Sequence, residues 1–272
     1  MNAKTVEKLC QINKDFYQGH AASFSETRQS PWSGWGICLE TIKDDCLRNA
    51  GFEKACRAQA GVEDAVDNTP LHFSVFDLAC GNLRFKAFLD SSLPRAEISY
   101  YAVDNCDDLV PTTVSVSYQN LDIMEILQKG LSFCDLSLAP QSDLSVCFGF
   151  MHHVPSQDYR KKVLASLIDQ TRLGGYVLVS FWQFLNNKTM GERALAIHDK
   201  ASRELGLKAL DKNDFLLGWK NKPGVYRYCH SFSDTEIDQL AESVSEKTTV
   251  LSRFVADGRS ENLNTYLVLR KR

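Results

Sequence analysis

At 272 residues, with 44% hydrophobic and 24% charged residues, the chain can bury a full core, either as one large domain or as one domain with an added lid. A net charge of −3 offers no global attraction to phosphate, so a nucleic-acid substrate would need a local basic patch or a helper subunit. No run approaches the ~18 apolar residues of a membrane span, and the opening Met1-Asn-Ala-Lys-Thr-Val-Glu7 lacks a signal-peptide apolar region, so a cytoplasmic protein without membrane association is expected. Nine cysteines, an odd count with no C-x-x-C pair, suggest neither a zinc site nor a disulfide framework; they read as reduced and structural, and no metal is expected.

Val6, Leu9, Ile12 and Phe16 recur at helical spacing, which marks an amphipathic N-terminal helix with Tyr17 near its end. Pro31-Trp-Ser-Gly-Trp35 turns the chain into a second helix through Leu39 and Ile42, and residues 43–70 form a polar stretch read as surface helix and loop. Residues 1–70 are therefore a helical extension, and residues 71–272 the main domain. From residue 73 strands and helices alternate. Residues 73–78, 98–103, 114–119, 144–150 and 176–182 are short apolar runs of the kind buried in a parallel sheet, which gives an α/β, doubly wound architecture. A helix over 156–172 carries the stripe Val163, Leu164, Leu167 and Ile168, with Gly174-Gly175 as its C-cap. After Trp182 the alternation stops. A helix over 192–205 and an irregular segment to Tyr228 follow, and residues 183–230 read as a substrate lid over the C-terminal edge of the sheet. Ser233-Asp-Thr-Glu236 is a capping box opening the last helix, and residues 250–255 pair with 265–269 as closing strands.

The most informative segment is Phe76-Asp77-Leu78-Ala79-Cys80-Gly81-Asn82-Leu83-Arg84-Phe85, an apolar strand running through a tight turn into a helix. Gly81 falls where backbone approaches a ligand closely. The next strand ends in Asp104, about 20 positions on, where a carboxylate suits both ribose hydroxyls. Ala79 and Leu83 stand where the dinucleotide pattern G-x-G-x-x-G has glycine, which leaves less room for a pyrophosphate and favours S-adenosylmethionine over NAD.

These segments resemble the motifs of class I S-adenosylmethionine-dependent methyltransferases. Residues 77–84 are similar to the first motif, Ala102-Val-Asp104-Asn105 to the second, Asn120-Leu-Asp122-Ile123 to the third, and Asp143 through Phe148-Gly149 to Pro155 to the fourth, in the family's order from residue 73 to the C-terminus. The resemblance implies a mostly parallel seven-stranded sheet. It assigns Ala79, Cys80 and Gly81 to the methionine tail, Asp104 with Asn105 to the ribose, Asp122 and Ile123 to adenine, and Phe148 with Gly149 to the pocket floor. Asp77 bridges to the amino group or caps the loop. Two flanking stretches, Asp15-Phe-Tyr17 with Phe24-Ser-Glu-Thr-Arg28-Gln-Ser-Pro-Trp32, and Tyr226-Arg227-Tyr228-Cys229-His230-Ser-Phe232, are similar to the group that esterifies carboxymethyl-type wobble uridines of transfer RNA. That likeness implies a transfer-RNA acceptor and a small activating protein partner. Methyl transfer to an oxygen (carboxylate or hydroxyl) or nitrogen of a small metabolite, or a noncatalytic adenosyl-binding or scaffold protein, are the alternatives.

A carboxylate acceptor is already anionic at neutral pH and calls for a cationic clamp rather than a base. Arg28, Arg227 and His230 are the clamp candidates, with Tyr17, which is also expected to bind the cofactor, and Tyr228 as hydrogen-bonding neighbours. Arg227 and His230 are expected on one face of an extended segment. His152 and His153 follow the fourth strand directly: either one of them, His153 first, acts as a general base, or the pair packs and bonds a neighbouring loop.

Overall fold

Side chains alternate across the central strands, and each face of the resulting sheet collects its own apolar set. In the computed structural model, which describes residues 1–48, 71–207 and 210–272, five parallel strands form the sheet: β1 (Leu71–Leu78), β2 (Ala96–Asp104), β3 (Ser117–Asn120), β4 (Ser142–Cys147) and β5 (Thr171–Trp182). An antiparallel pair, β8 (Thr248–Ala256) and β9 (Asn264–Lys271), completes seven strands in the order β3-β2-β1-β4-β5-β9-β8. The α/β fold class expected from the sequence is the one observed. The expectation for residues 49–70 lies outside the described residues.

On one face, Phe76, Leu78, Val103, Val177 and Val179 pack with Leu164 and Leu167 of α5 (Gln157–Asp169) and Ile237 and Leu240 of α7 (Asp234–Glu242). On the other, Val75, Ala102, Val146, Leu178 and Val268 pack with Trp35 and Cys38 of α2 (Ser33–Arg48) and Phe85 and Leu89 of α3 (Arg84–Ser92). Gly34 is a packing requirement, because a Cβ there would lie 2.3 Å from the Tyr266 ring. Asp257 secures the same corner. It accepts from the Ser33 hydroxyl and the Gly34 N–H, each at 3.1 Å, and from Tyr266 at 2.5 Å.

Helix α1 (Ala3–Ser25) starts under an Asn2 cap, whose Oδ1 accepts from the Thr5 N–H at 2.9 Å, and it kinks at His20 (φ −139°, ψ 17°). Its buried face includes a polar residue, Asn13. The Asn13 carboxamide oxygen accepts the Tyr228 N–H at 2.8 Å, which satisfies a donor on the strand α1 packs against.

Three local expectations are corrected. The helix α5 ends at Asp169, and Gly174-Gly175 belong to β5 rather than to a helix cap, since a Cβ at Gly175 would come within 2.8 Å of the Asp143 carbonyl on the neighbouring strand. Strand β4 stops at Cys147, because Gly149 adopts φ +74° and takes Phe148 and Phe150 out of the sheet. The irregular segment after α6 (Lys188–Glu204) contains a hairpin, β6 (Asp214–Gly218) with β7 (Tyr226–His230), in which Leu216 pairs with Tyr228.

Candidate active site

Strands β1, β2 and β4 present their C-terminal ends together, with Asp77 in register with Ala102 and Val146, and Asp104 with Asn120. The loops that follow them open on one cavity of about 590 Å3, within the usual range for a bound organic ligand. Tyr17, Asp77, Ala79, Cys80, Gly81, Asp104, Asn105, Asp122, Ile123, Phe148 and Gly149 all line it. So do Arg28, His153 and Arg227; His230 does not.

The loop after β1 keeps a glycine-like backbone with few glycines. Ala79 (φ 59°), Gly81 (φ 53°) and Leu83 (φ 57°) are all left-handed, so both positions where the glycine pattern is lost retain the conformation that glycine favours. A non-glycine residue there costs on the order of 1–2 kcal/mol, offset by the loop's attachments. Asp104 Oδ2 accepts the Gly81 N–H at 2.9 Å, and its Oδ1 accepts the Cys106 N–H at 3.0 Å. Asn82 donates to the Arg28 carbonyl at 2.9 Å, and Arg84 to the Ser30 carbonyl at 2.9 Å. The segment joining α1 to α2 is thereby fastened over the loop.

Three carboxylates surround this end of the cavity. Burial pushes Asp77 up to about 7, although the Tyr100 hydroxyl bonds it at 2.5 Å, and burial likewise raises Asp104 to about 6 against three backbone N–H donors. Asp122 caps α4 (Ile123–Gln128) through the Glu125 N–H at 3.1 Å, while its other oxygen receives Asn105 at 3.1 Å and Lys14 at 3.3 Å. Open space around Gly81, where an added Cβ would meet nothing within 4 Å, and the acceptor oxygens of Asp104 fit a ligand that brings hydroxyls and a positive charge.

The opposite end is cationic and aromatic. Arg28 is half-buried and Arg227 buried, and the Arg227 Nε finds no hydrogen-bond partner. Among the described residues, neither guanidinium has an ion-pairing carboxylate. Burial, reinforced by the neighbouring Arg227 charge, holds Arg28 down to about 10. The rings of Phe16, Phe24, Trp182 and Trp219 stand against the pair.

His153 lies between the two ends with both nitrogens engaged. Its Nδ1 lies 2.8 Å from the Tyr228 carbonyl, which only accepts, so Nδ1 carries the proton and Nε2 accepts from the Tyr17 hydroxyl at 2.8 Å. Burial, then the Arg227 charge, pushes its pKa down to about 3, and burial with the adjacent His153 lowers His152 as well. Both rings are therefore neutral and weakly basic. Cys229 places its sulfur with these histidines inside 4.8 Å, but the occupied nitrogens of His153 and the two guanidiniums make this group unsuited to a cation.

Arg227 and His230 do not share a face. They are three residues apart in an extended strand, an odd separation that sends them to opposite sides, which corrects the expectation from sequence. His230 is fully buried against Asp214 at 2.7 Å and Glu236 at 3.0 Å, and Arg160 joins Asp214 at 3.3 Å. This network ties the β6–β7 hairpin to α5 and α7.

Sequence reasoning missed Asn13, Lys14, Trp182 and Trp219, which also line the cavity. Asn13 had a signal, a polar residue on the apolar stripe of α1. The two tryptophans had none beyond their size.

No protein-family model and no curated protein matches the chain. Among solved structures, an S-adenosylmethionine-dependent methyltransferase from Methanosarcina mazei is similar at 14% identity, over 75% of this chain and 95% of that one, with a TM-score of 0.52. The DhpI–SAM–HEP complex is similar at 13% identity, over 96% and 97% of the two chains, with a TM-score of 0.50. The fold is therefore that of S-adenosylmethionine-dependent methyltransferases, and neither likeness singles out the transfer-RNA group.

Proposed function

We propose that the chain is an S-adenosylmethionine-dependent methyltransferase whose acceptor is a carboxylate. The observation that carries this reading is the polarity of one cavity: carboxylates and strained backbone at one end, two guanidiniums without acid partners at the other. When bound, S-adenosylmethionine supplies an electrophilic methyl group on a sulfonium.

Asp104 is placed to accept from ribose hydroxyls, and the Ala79–Gly81 backbone to hold the amino-acid tail, while Asp104 and the ionised form of Asp77 favour a positively charged ligand. Arg28 and Arg227 would bind the acceptor anion and orient one of its oxygens, an arrangement in which position rather than proton transfer lowers the barrier. His152 and His153 are too weakly basic to take a proton efficiently near neutral pH, which disfavours a hydroxyl or ammonium acceptor. A carboxylate needs no base, since an S–C bond is exchanged for an O–C bond and no proton leaves. Residues 183–230 and helix α1 would act as a lid that excludes water.

The dimensions of the cavity support a small acid as the acceptor, and the chain's net charge of −3 weighs against a polyanion. The flanking motifs around Arg28 and Arg227 support a second reading, a carboxymethyl-type uridine of transfer RNA, with a small activating protein adding basic surface to a chain whose net charge is −3. Calorimetry with S-adenosylmethionine tests the foundation: failure to bind at millimolar cofactor overturns it. Labelled cofactor incubated with separate pools of transfer RNA and small acids then separates the two acceptors.

A further inference from the structure

Two neighbouring like charges, one buried and one half-buried, that lack acid partners need another source of stabilisation, and in this cavity it is aromatic. The Arg28 Cζ lies 3.6 Å from the Phe24 ring centroid and 5.8 Å from that of Trp219, and the Arg227 Cζ lies 5.7 Å from Trp219 and 5.5 Å from Trp182. Trp219 thus faces both cations. It follows β6 directly, is buried, and donates its Nε1–H to the Ser23 hydroxyl at 3.1 Å, near the end of α1. Its ring also packs on Phe16 and Phe24, at 5.4 and 5.9 Å between centroids.

The face of an aromatic ring attracts a cation without cancelling its charge. A carboxylate in the same place would neutralise the pair and compete with any anionic ligand. An aliphatic side chain would leave two desolvated guanidiniums to repel one another and drift apart. An aromatic ring holds them while keeping their donors available.

We propose that Trp219 is a positioning residue of the acceptor site: its ring keeps Arg28, from the N-terminal segment, and Arg227, from the β6–β7 hairpin, side by side so that both close on a single carboxylate. The Nε1–H bond to Ser23 fixes the hairpin to α1, and the ring carries the electrostatic part. This inference rests on the carboxylate reading given above and adds the residue that makes the two arginines act as a unit.

The test uses the full chain saturated with S-adenosylhomocysteine, with benzoate as the carboxylate probe and calorimetry as the readout. Trp219→Leu is expected to weaken benzoate binding by about tenfold, the effect of removing a cation–π contact to two desolvated cations. Trp219→Phe, which keeps a ring and loses the Ser23 bond, is expected to stay within about threefold of the wild type. Affinity for S-adenosylhomocysteine should change in neither variant. In an Arg28→Gln background, Trp219→Leu should lose much of its effect, because coupled partners are not additive. A Trp219→Leu protein that binds benzoate like the wild type overturns the inference, as does parallel loss of benzoate and S-adenosylhomocysteine binding, which would mark Trp219 as general packing. A wild-type protein that binds S-adenosylhomocysteine and not benzoate overturns the carboxylate reading and this inference with it. One that binds neither overturns the methyltransferase reading itself.

Discussion

The two ends of the cavity are built in different ways. The carboxylate end is made of strand termini and backbone: Asp77 lies one residue before the end of β1, Asp104 closes β2, and the left-handed loop at Ala79, Gly81 and Leu83 is fixed by the sheet beneath it. The guanidinium end is made of side chains brought from far apart in sequence, Tyr17 and Arg28 from the N-terminal segment and Trp219 and Arg227 from the β6–β7 hairpin. A site built on a sheet edge is a property of the fold, which many unrelated acceptors can share. On the proposed function, a site built from appended segments is where acceptor choice would reside. Substitutions at the two ends should therefore separate cofactor binding from turnover.

The largest effect is expected at the cationic end. Arg227→Ala should lower turnover on a carboxylate acceptor by on the order of a hundredfold or more, the cost of losing a buried charge-assisted contact, with affinity for S-adenosylhomocysteine nearly unchanged. Steady-state rates alongside calorimetry check this, and a wild-type rate in the variant would end the clamp. At the other end, Asp104→Ala should weaken cofactor binding by about 1.5–3 kcal/mol, from lost hydrogen bonds to a charged group. Benzoate binding should survive that change. Equal losses for both ligands would erase the distinction between the ends.

Titration sharpens the same contrast. Burial raises Asp104 to about 6, so below that pH it carries a proton and loses accepting capacity, and above it the carboxylate is fully available to hydroxyl donors. Affinity for S-adenosylhomocysteine should accordingly rise from pH 5 to pH 7.5, by at most about tenfold per unit for one proton. The same profile should flatten in Asp104→Asn. Persistence of the full slope in that variant would assign the proton elsewhere, with Asp77, raised to about 7, the next group to examine.

The smallest effect concerns the loop itself. Ala79→Gly should stabilise the fold by about 1 kcal/mol in a denaturation experiment, because glycine adopts φ > 0 without the Cβ clash. Leu83→Gly should instead destabilise by about 2–4 kcal/mol, since Leu83 is buried and its side chain fills the core beside α3. If Ala79→Gly proves destabilising, the loop is not strained at that position.

The sheet was largely legible because its central strands are buried on both faces and read as apolar runs, and because Ser233 and Glu236 form the capping box their spacing announces. The carboxylate end could be read for the same reason, as the chemistry lies in consecutive residues at strand ends. Backbone conformation at Ala79 and Leu83 could not be read, since neither residue type signals positive φ. The β6–β7 hairpin was hidden because each strand has five residues and residues 219–225 between them exceed the two-residue turns that announce a hairpin. Convergence of Arg28, Arg227 and Trp219 depends on how α1 docks against β7, which no spacing within either segment encodes. His230 shows the converse, a residue in a suggestive motif that the strand's alternation turns toward Asp214 and away from the cavity.

The central claim, methyl transfer to a carboxylate, has a direct chemical signature. After incubation with methyl-labelled S-adenosylmethionine and separate pools of transfer RNA and small acids, the product is treated with mild alkali. A methyl ester hydrolyses and releases its label as volatile methanol, whereas a methyl ether or methylamine keeps it. The account predicts label that enters one of the two pools and leaves as methanol, in amounts that fall at least tenfold with Arg227→Ala. Alkali-stable label, or no incorporation by a protein that binds S-adenosylhomocysteine, would contradict it.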